Sequence, residues 1–236
     1  MLGSVINGKF RLVKSCLRKA TKPLQATVGR QTTMKKILKW TLIILGIGLL
    51  TYVGYWVYVF AVFSGVFDKS YSTRDLIDNY NKKTTQIWEV KSYVNKIVPP
   101  NKSVDIEFDG NHKFFIFHVV DNGNYDSNWN LKLSSPKTDT LLQELGWTKE
   151  KLKLLKEKLD NANCISVASG EPCEIGFQRS GMGKYFYILF DKPIADSMKN
   201  KYNDSCTYIL YNDSVVLEYG GGAIGPQCFP TFKRGK

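Results

Sequence analysis

Acidic residues are missing from the first 67 positions of this 236-residue chain, and residues 40–67 lack charge of either sign. With seven basic residues, no acid and little apolar periodicity, residues 1–33 read as disordered. The second absence excludes a soluble amphipathic helix, which needs a polar stripe. Other absences narrow the chemistry. The chain has two histidines, His112 and His118, and no CxxC pair, so zinc-ligand spacing is lacking and no metal is expected. There is no GxSxG and no GxxxxGK[ST], so neither a nucleophile elbow nor a phosphate loop is written in the sequence. No cofactor is expected, and the chain resembles no characterised family.

What is present is one long apolar run. Trp40 to Phe67 exceeds the roughly 20 residues that cross a hydrocarbon core of about 30 Å. Tyr52, Tyr55, Trp56 and Tyr58 crowd its second half, as residues do at the headgroup level. A retained span is the leading expectation over a cleaved signal, because a signal core is shorter and ends in a small-x-small site. Gly46, Gly48 and Gly54 do not make GxxxG.

Charge gives the orientation. Residues 1–39 hold ten of the 33 basic residues and none of the 21 acidic ones, so the net +12 divides into +10 before the span and +2 after it. The positive-inside rule places 1–39 in the cytoplasm and 68–236 outside a bacterial-type cytoplasmic membrane. The near-neutral outer part has no footprint for nucleic acid; the expected partners are the bilayer and another envelope protein. Met34-Lys35-Lys36 ahead of the run reads as an alternative start, with 1–33 as an upstream extension.

Cys164, Cys173, Cys206 and Cys228 all follow the span, and an even number in an oxidising compartment predicts two disulfides. The pairing expected is sequence-local, Cys164–Cys173 and Cys206–Cys228.

The outer part reads as α+β, with a mostly antiparallel sheet and three to four helices. Residues 68–100 form a juxtamembrane helix, with a capping box at Ser72 and Asp75 and a stop at Pro99-Pro100. Residues 101–236 form the compact domain. Val104–Phe108 and Phe114–Val120 alternate as a hairpin, Asp121–Asn128 is a polar loop, and Trp129–Leu133 is a third strand. Helices follow over Thr138–Leu145, from Thr148 to Asn161, and over Ile194–Tyr202. Further strands fall at Ile165–Ala168, Glu174–Arg179, Tyr185–Phe190, Thr207–Tyr211 and Val215–Tyr219.

No catalytic set stands out. Asp105 and Glu107 alternate with apolar residues and read as the solvent side of their strand. The Asp121–Asn128 loop fails the calcium pattern, and Gly220–Gly225 matches GxGxxG without the helix that must follow. The best binding edge on sequence is Arg179, Gly181, Gly183 and Lys184, where two cations flank bare backbone and suit an anion. Tyr185, Tyr187, Tyr208 and Tyr219 alternate along strands as a candidate partner surface. The functional expectation is a tethered, non-enzymatic interaction module. The alternatives are an envelope hydrolase built from distant residues such as Asp105, Glu107 or His118, and a structural subunit of a membrane complex.

Overall fold

The structure is a computed structural model that describes residues 23–63, 67–220 and 225–230. The tail up to Lys22, with Cys16, and most of the Gly220–Gly225 run lie outside the described residues. The chain divides into two units, Met1–Phe60 and Ala61–Lys236.

The described residues of the first unit lie in one helix, α1 (Pro23–Phe63), whose last three residues fall past the boundary at Phe60. Its Lys35–Phe63 portion is long and apolar enough to cross a membrane, and none of that window is buried.

The second unit is α+β. Among the described residues it has four helices and an eight-stranded antiparallel sheet. The elements in order are α2 (Thr73–Ile97), β1 (Lys102–Asp109), β2 (Lys113–Asp121), β3 (Asn124–Trp129), α3 (Pro136–Glu144), α4 (Lys149–Asn161), β4 (Ser166–Ala168), β5 (Cys173–Ser180), β6 (Gly183–Leu189), α5 (Asp196–Lys199), β7 (Tyr208–Asn212) and β8 (Val215–Gly220). The strands lie in the order β3-β2-β1-β4-β5-β6-β8-β7.

The capping box at Ser72 and Asp75 starts α2. Bonds from Ser72 hold the Asp75 carboxyl below its usual range. The α2 stripe of Leu76, Tyr80, Ile87, Val90 and Val94 is buried in one cluster with Val104, Ile106, Phe117, Val167, Ile175 and Tyr187 of the sheet. The helix is therefore part of the core, with no stalk-like exposure of its apolar residues. Polar bonds fix its register. The Tyr187 hydroxyl donates to the Leu76 carbonyl at 2.9 Å, and the Tyr71 N–H donates to the Tyr185 hydroxyl at 3.2 Å. Lys91, 2% exposed, reaches Glu171 at 2.8 Å, Asp191 at 2.9 Å and the Leu189 carbonyl at 2.9 Å. Three oxygens around one ammonium satisfy its three donors.

Four sequence expectations change here. Tyr185 and Tyr187 are fully buried, and Tyr208 and Tyr219 half-buried, so they pack the sheet instead of presenting a partner surface. Asn124–Trp129 is strand, not loop: Asn122-Gly123 makes a two-residue turn with both φ angles positive, 48° and 86°, and the chain pairs at once with β2. The predicted third strand over Trp129–Leu133 therefore begins five residues too late. Cys164 and Cys173 are buried free thiols, and the Cys164 Sγ–H donates to the Ala162 carbonyl at 3.4 Å. Their sequence spacing suited a bridge, but each behaves as a small core hydrophobe. Burial pushes both thiols up, Cys173 to about 12. Cys206–Cys228 is the bridge that forms, across 22 residues.

Native alkylation should therefore leave Cys164 and Cys173 unlabelled, and labelling in denaturant should modify both, read by mass. C206S/C228S should cost about 3 kcal/mol in denaturant unfolding, the loop-closure value for a bridge of this span.

Candidate functional site

Alternation gives the sheet two unlike faces. One face carries Val104, Ile106, Phe117, Val119, Val167, Ile175, Tyr187 and Leu217 and lies in the cluster that takes up α2, α3 and α4. The register sets the other face strand by strand. One row runs Ser127, His118, Asp105, Ala168, Glu174, Ile188. The next runs Trp129, Ile116, Glu107, Ser166, Gly176, Phe186, Glu218, Tyr208. Arg179 and Lys184 are paired just beyond it. Ile188 and Val216 of this face are covered by Ile194, with Tyr202 packed alongside.

Glu107 is the centre of this polar face and is 2% exposed. Its Oε2 accepts from Arg179 Nη2 at 2.8 Å and from Lys184 Nζ at 2.9 Å, and its Oε1 accepts from Arg179 Nε. Lys184 also donates to Ser166 Oγ at 3.1 Å. The Arg179 guanidinium lies 4.1 Å from the Phe115 ring centroid. A bulge between Glu107 and Phe108 leaves Phe115 without an opposite residue, which lets its ring reach Arg179.

Gly176 makes the arrangement possible. A Cβ there would fall 2.0 Å from Ser166 Oγ and 3.2 Å from Lys184 Cδ. Only a bare backbone lets the lysine stem lie flat across β5 to reach β1.

Around this centre lie groups with shifted titration. Burial pushes the Asp105 carboxyl up against the opposing pull of Lys184. Burial also raises Glu174, and the Asp105 charge adds to it. Glu218 is pushed up to about 7 by burial and by Glu174, while a bond from Tyr208 pulls the other way. Among the described residues no protein hydrogen bond reaches the side-chain carboxylate of Asp105 or Glu174. His118 is held down by burial. Its Nδ1 meets the Tyr125 hydroxyl, and its Nε2 meets Ser127 Oγ at 3.0 Å. Tyr125 and Trp129 flank the imidazole, each with its ring centroid 5.1 Å away, and are 62% and 54% exposed.

Comparison with protein-family models, with curated proteins and with solved structures finds no match to this chain. The polar face must be read from its own chemistry. Among the described residues, no three His, Cys, Asp or Glu side chains are placed to hold a metal ion. A cleft of about 840 Å³ lies elsewhere, lined by Asp75, Asn79, Lys82, Asp160 and Asn163 among others, with charges of both signs interspersed.

The sequence-predicted edge is found but does different work. Arg179 and Lys184 spend their charge on Glu107, and the Gly181 N–H donates to Asp68 at 2.7 Å. Gly183 packs under Tyr219, whose ring would lie 2.9 Å from an added Cβ. The four residues do not leave an open cradle for an anion. Asp105 and Glu107 were expected in solvent; they sit in the wall of the polar face. Glu174 and Glu218 carried no sequence signal beyond alternation. Once the registers are known, that alternation puts them beside Asp105.

Two outcomes are expected. E107Q should destabilise by about 3–5 kcal/mol because it leaves Arg179 and Lys184 uncompensated, whereas E107M/R179M/K184M should recover most of that loss in urea unfolding. Glu218 ionises at a higher pH folded than unfolded, so its contribution is fully present below pH 4.5 and is lost as pH rises to about 7. Melting temperature should therefore fall from pH 5 to pH 8, with a shallower slope in E218Q.

Proposed function

We propose that this chain is a membrane-tethered binding module whose polar sheet face takes a cationic, donor-rich ligand. The observation that carries the reading is the pair of carboxylates, Asp105 and Glu174, that share this face without a hydrogen-bond partner. Both residues are half-buried and their carboxylate oxygens keep access to solvent, so a ligand that brings donors would take the place of water on acceptors the protein leaves unpaired. With Glu107 neutralising one of the two cations and His118 neutral, Asp105, Glu174 and Glu218 outweigh the one remaining positive charge. Neighbouring carboxylates that raise one another's protonation are relieved by an amine or guanidinium between them.

The apolar part of α1 serves in this reading as a retained anchor. The basic residues before it stay in the cytoplasm, and the second unit lies on the far side of the membrane. The disulfide supports an oxidising destination.

A hydrolytic reading has one observation in its favour, the approach of His118, Asp105 and Glu107 on adjacent strands. It ranks second because both imidazole nitrogens are engaged by hydroxyls and both Glu107 oxygens by cations. Asp105 alone of the three keeps a free carboxylate, and one carboxylate without a second free group does not make an acid–base pair.

Spermidine titrated into the full chain in detergent micelles should give saturable heat by calorimetry. D105N/E174Q should weaken it at least tenfold while melting no lower than the parent. Equal affinity in the variant, or no saturable binding to the parent, would overturn the cationic-ligand reading.

A further inference from the structure

The two edges of the sheet are treated differently. At the β7 edge, the Tyr219 N–H donates to the Thr207 carbonyl, which turns the backbone groups of Tyr208 and Leu210 outward. Both outward N–H groups are already capped. Tyr208 N–H donates to Asp204 Oδ1 at 2.8 Å and Leu210 N–H to Asn203 Oδ1 at 3.4 Å. A bulge between Leu210 and Asn212 twists this edge further.

The β3 edge has no such cover. The Asn122-Gly123 turn closes on the Asp121–Asn124 pair, and Asn130 N–H donates to the Phe115 carbonyl at 3.1 Å. Even-numbered residues of β3 therefore bond to β2, and Tyr125, Ser127 and Trp129 turn their N–H and C=O groups to the open side. Among the described residues no hydrogen bond reaches those N–H groups. The same three residues place two large exposed aromatics beside the free edge. An open edge with apolar side chains and no capping device is a template for another strand.

We propose that the strand added here is β3 of a second copy of this chain, paired antiparallel about Ser127. The register follows from parity. Outward-facing residues must meet outward-facing residues, and centring on Ser127 engages all three on each side. Tyr125 then lies opposite the partner's Trp129, and Trp129 opposite the partner's Tyr125. Cross-strand aromatic pairs of this kind are among the favourable ones. On the other face, Asp126 lies opposite the partner's Asn128, so no like charges meet; Asp126 is already held by Lys137 at 2.6 Å and by Asn128 at 3.0 Å. Two eight-stranded sheets become one continuous sheet. The inference stands on the edge alone and does not depend on the ligand proposed above.

The test is cysteine cross-linking of the full chain in lipid bilayers, in a C16S background. Directly opposed residues of a hydrogen-bonded antiparallel pair have Cα atoms about 5.5 Å apart, within disulfide reach. S127C treated with copper phenanthroline, which takes up the two electrons of the thiol pair, should run as a covalent dimer on a non-reducing gel. Adding Y125K/W129K should cut the yield at least tenfold, because it opposes like charges across the dyad. Equal yield in Y125K/W129K would show collision through another surface and overturn the proposal. So would absence of the S127C dimer, or a monomeric mass together with saturable uptake of an extended peptide at β3.

Discussion

The polar face of the sheet depends on one buried carboxylate. Glu107 on β1 is gripped by Arg179 and Lys184, which stand on β5 and β6 at the far side of β4. Charges withdrawn from water are tolerated only when they are paired and hydrogen-bonded. That requirement propagates outward. Lys184 needs a path across β5, so position 176 is glycine. Arg179 needs a plane to lie on, so a bulge delivers Phe115. Ser166 takes a remaining lysine donor. The cluster stitches four strands side chain to side chain, in addition to their backbone ladders, and fixes the surface on which Asp105, Glu174 and Glu218 stand.

The opposite face is held by other means. There α2 lies on the sheet through a continuous apolar contact, and tyrosine hydroxyls from β6 bond to backbone groups of α2 and of Tyr71, two residues before it. Lys91 fastens the far half of the same helix to the loops after β4 and β6. A domain of this size has surface to spare for one apolar layer, and the charge on its second layer is what distinguishes it from a plain two-layer α+β domain.

Local features were legible in the sequence. The apolar run, the α2 capping box, the Thr148 cap, the β1–β2 hairpin and the Cys206–Cys228 bridge all follow from residues close together in the chain. The candidate site was not legible, for a physical reason. Alternation at Asp105 and Glu107 tells that two side chains share a face but not what that face meets. Whether it is solvent or a cation from 72 residues away is decided by strand order, which no local pattern carries. The same limit explains Cys164 and Cys173, whose separation suits a bridge while their placement in the core rules it out. The Asp121–Asn128 segment misled differently. Its polar residues looked like a loop because β3 is an edge strand and has no buried neighbour on one side.

The placement of α2 has a consequence for how the protein is made. It is the first element of its unit to be synthesised, yet the oxygen that takes its Lys91 belongs to Leu189, 98 positions later, and the tyrosine bonded to Leu76 comes 111 positions later. β1, β2 and α4 can cover part of the apolar stripe of α2 earlier, but the polar bonds that fix its register wait until β6 has emerged. Contacts this distant make folding slow and leave greasy intermediates open to self-association. The register of α2 is therefore set late, by residues from the other end of its own unit.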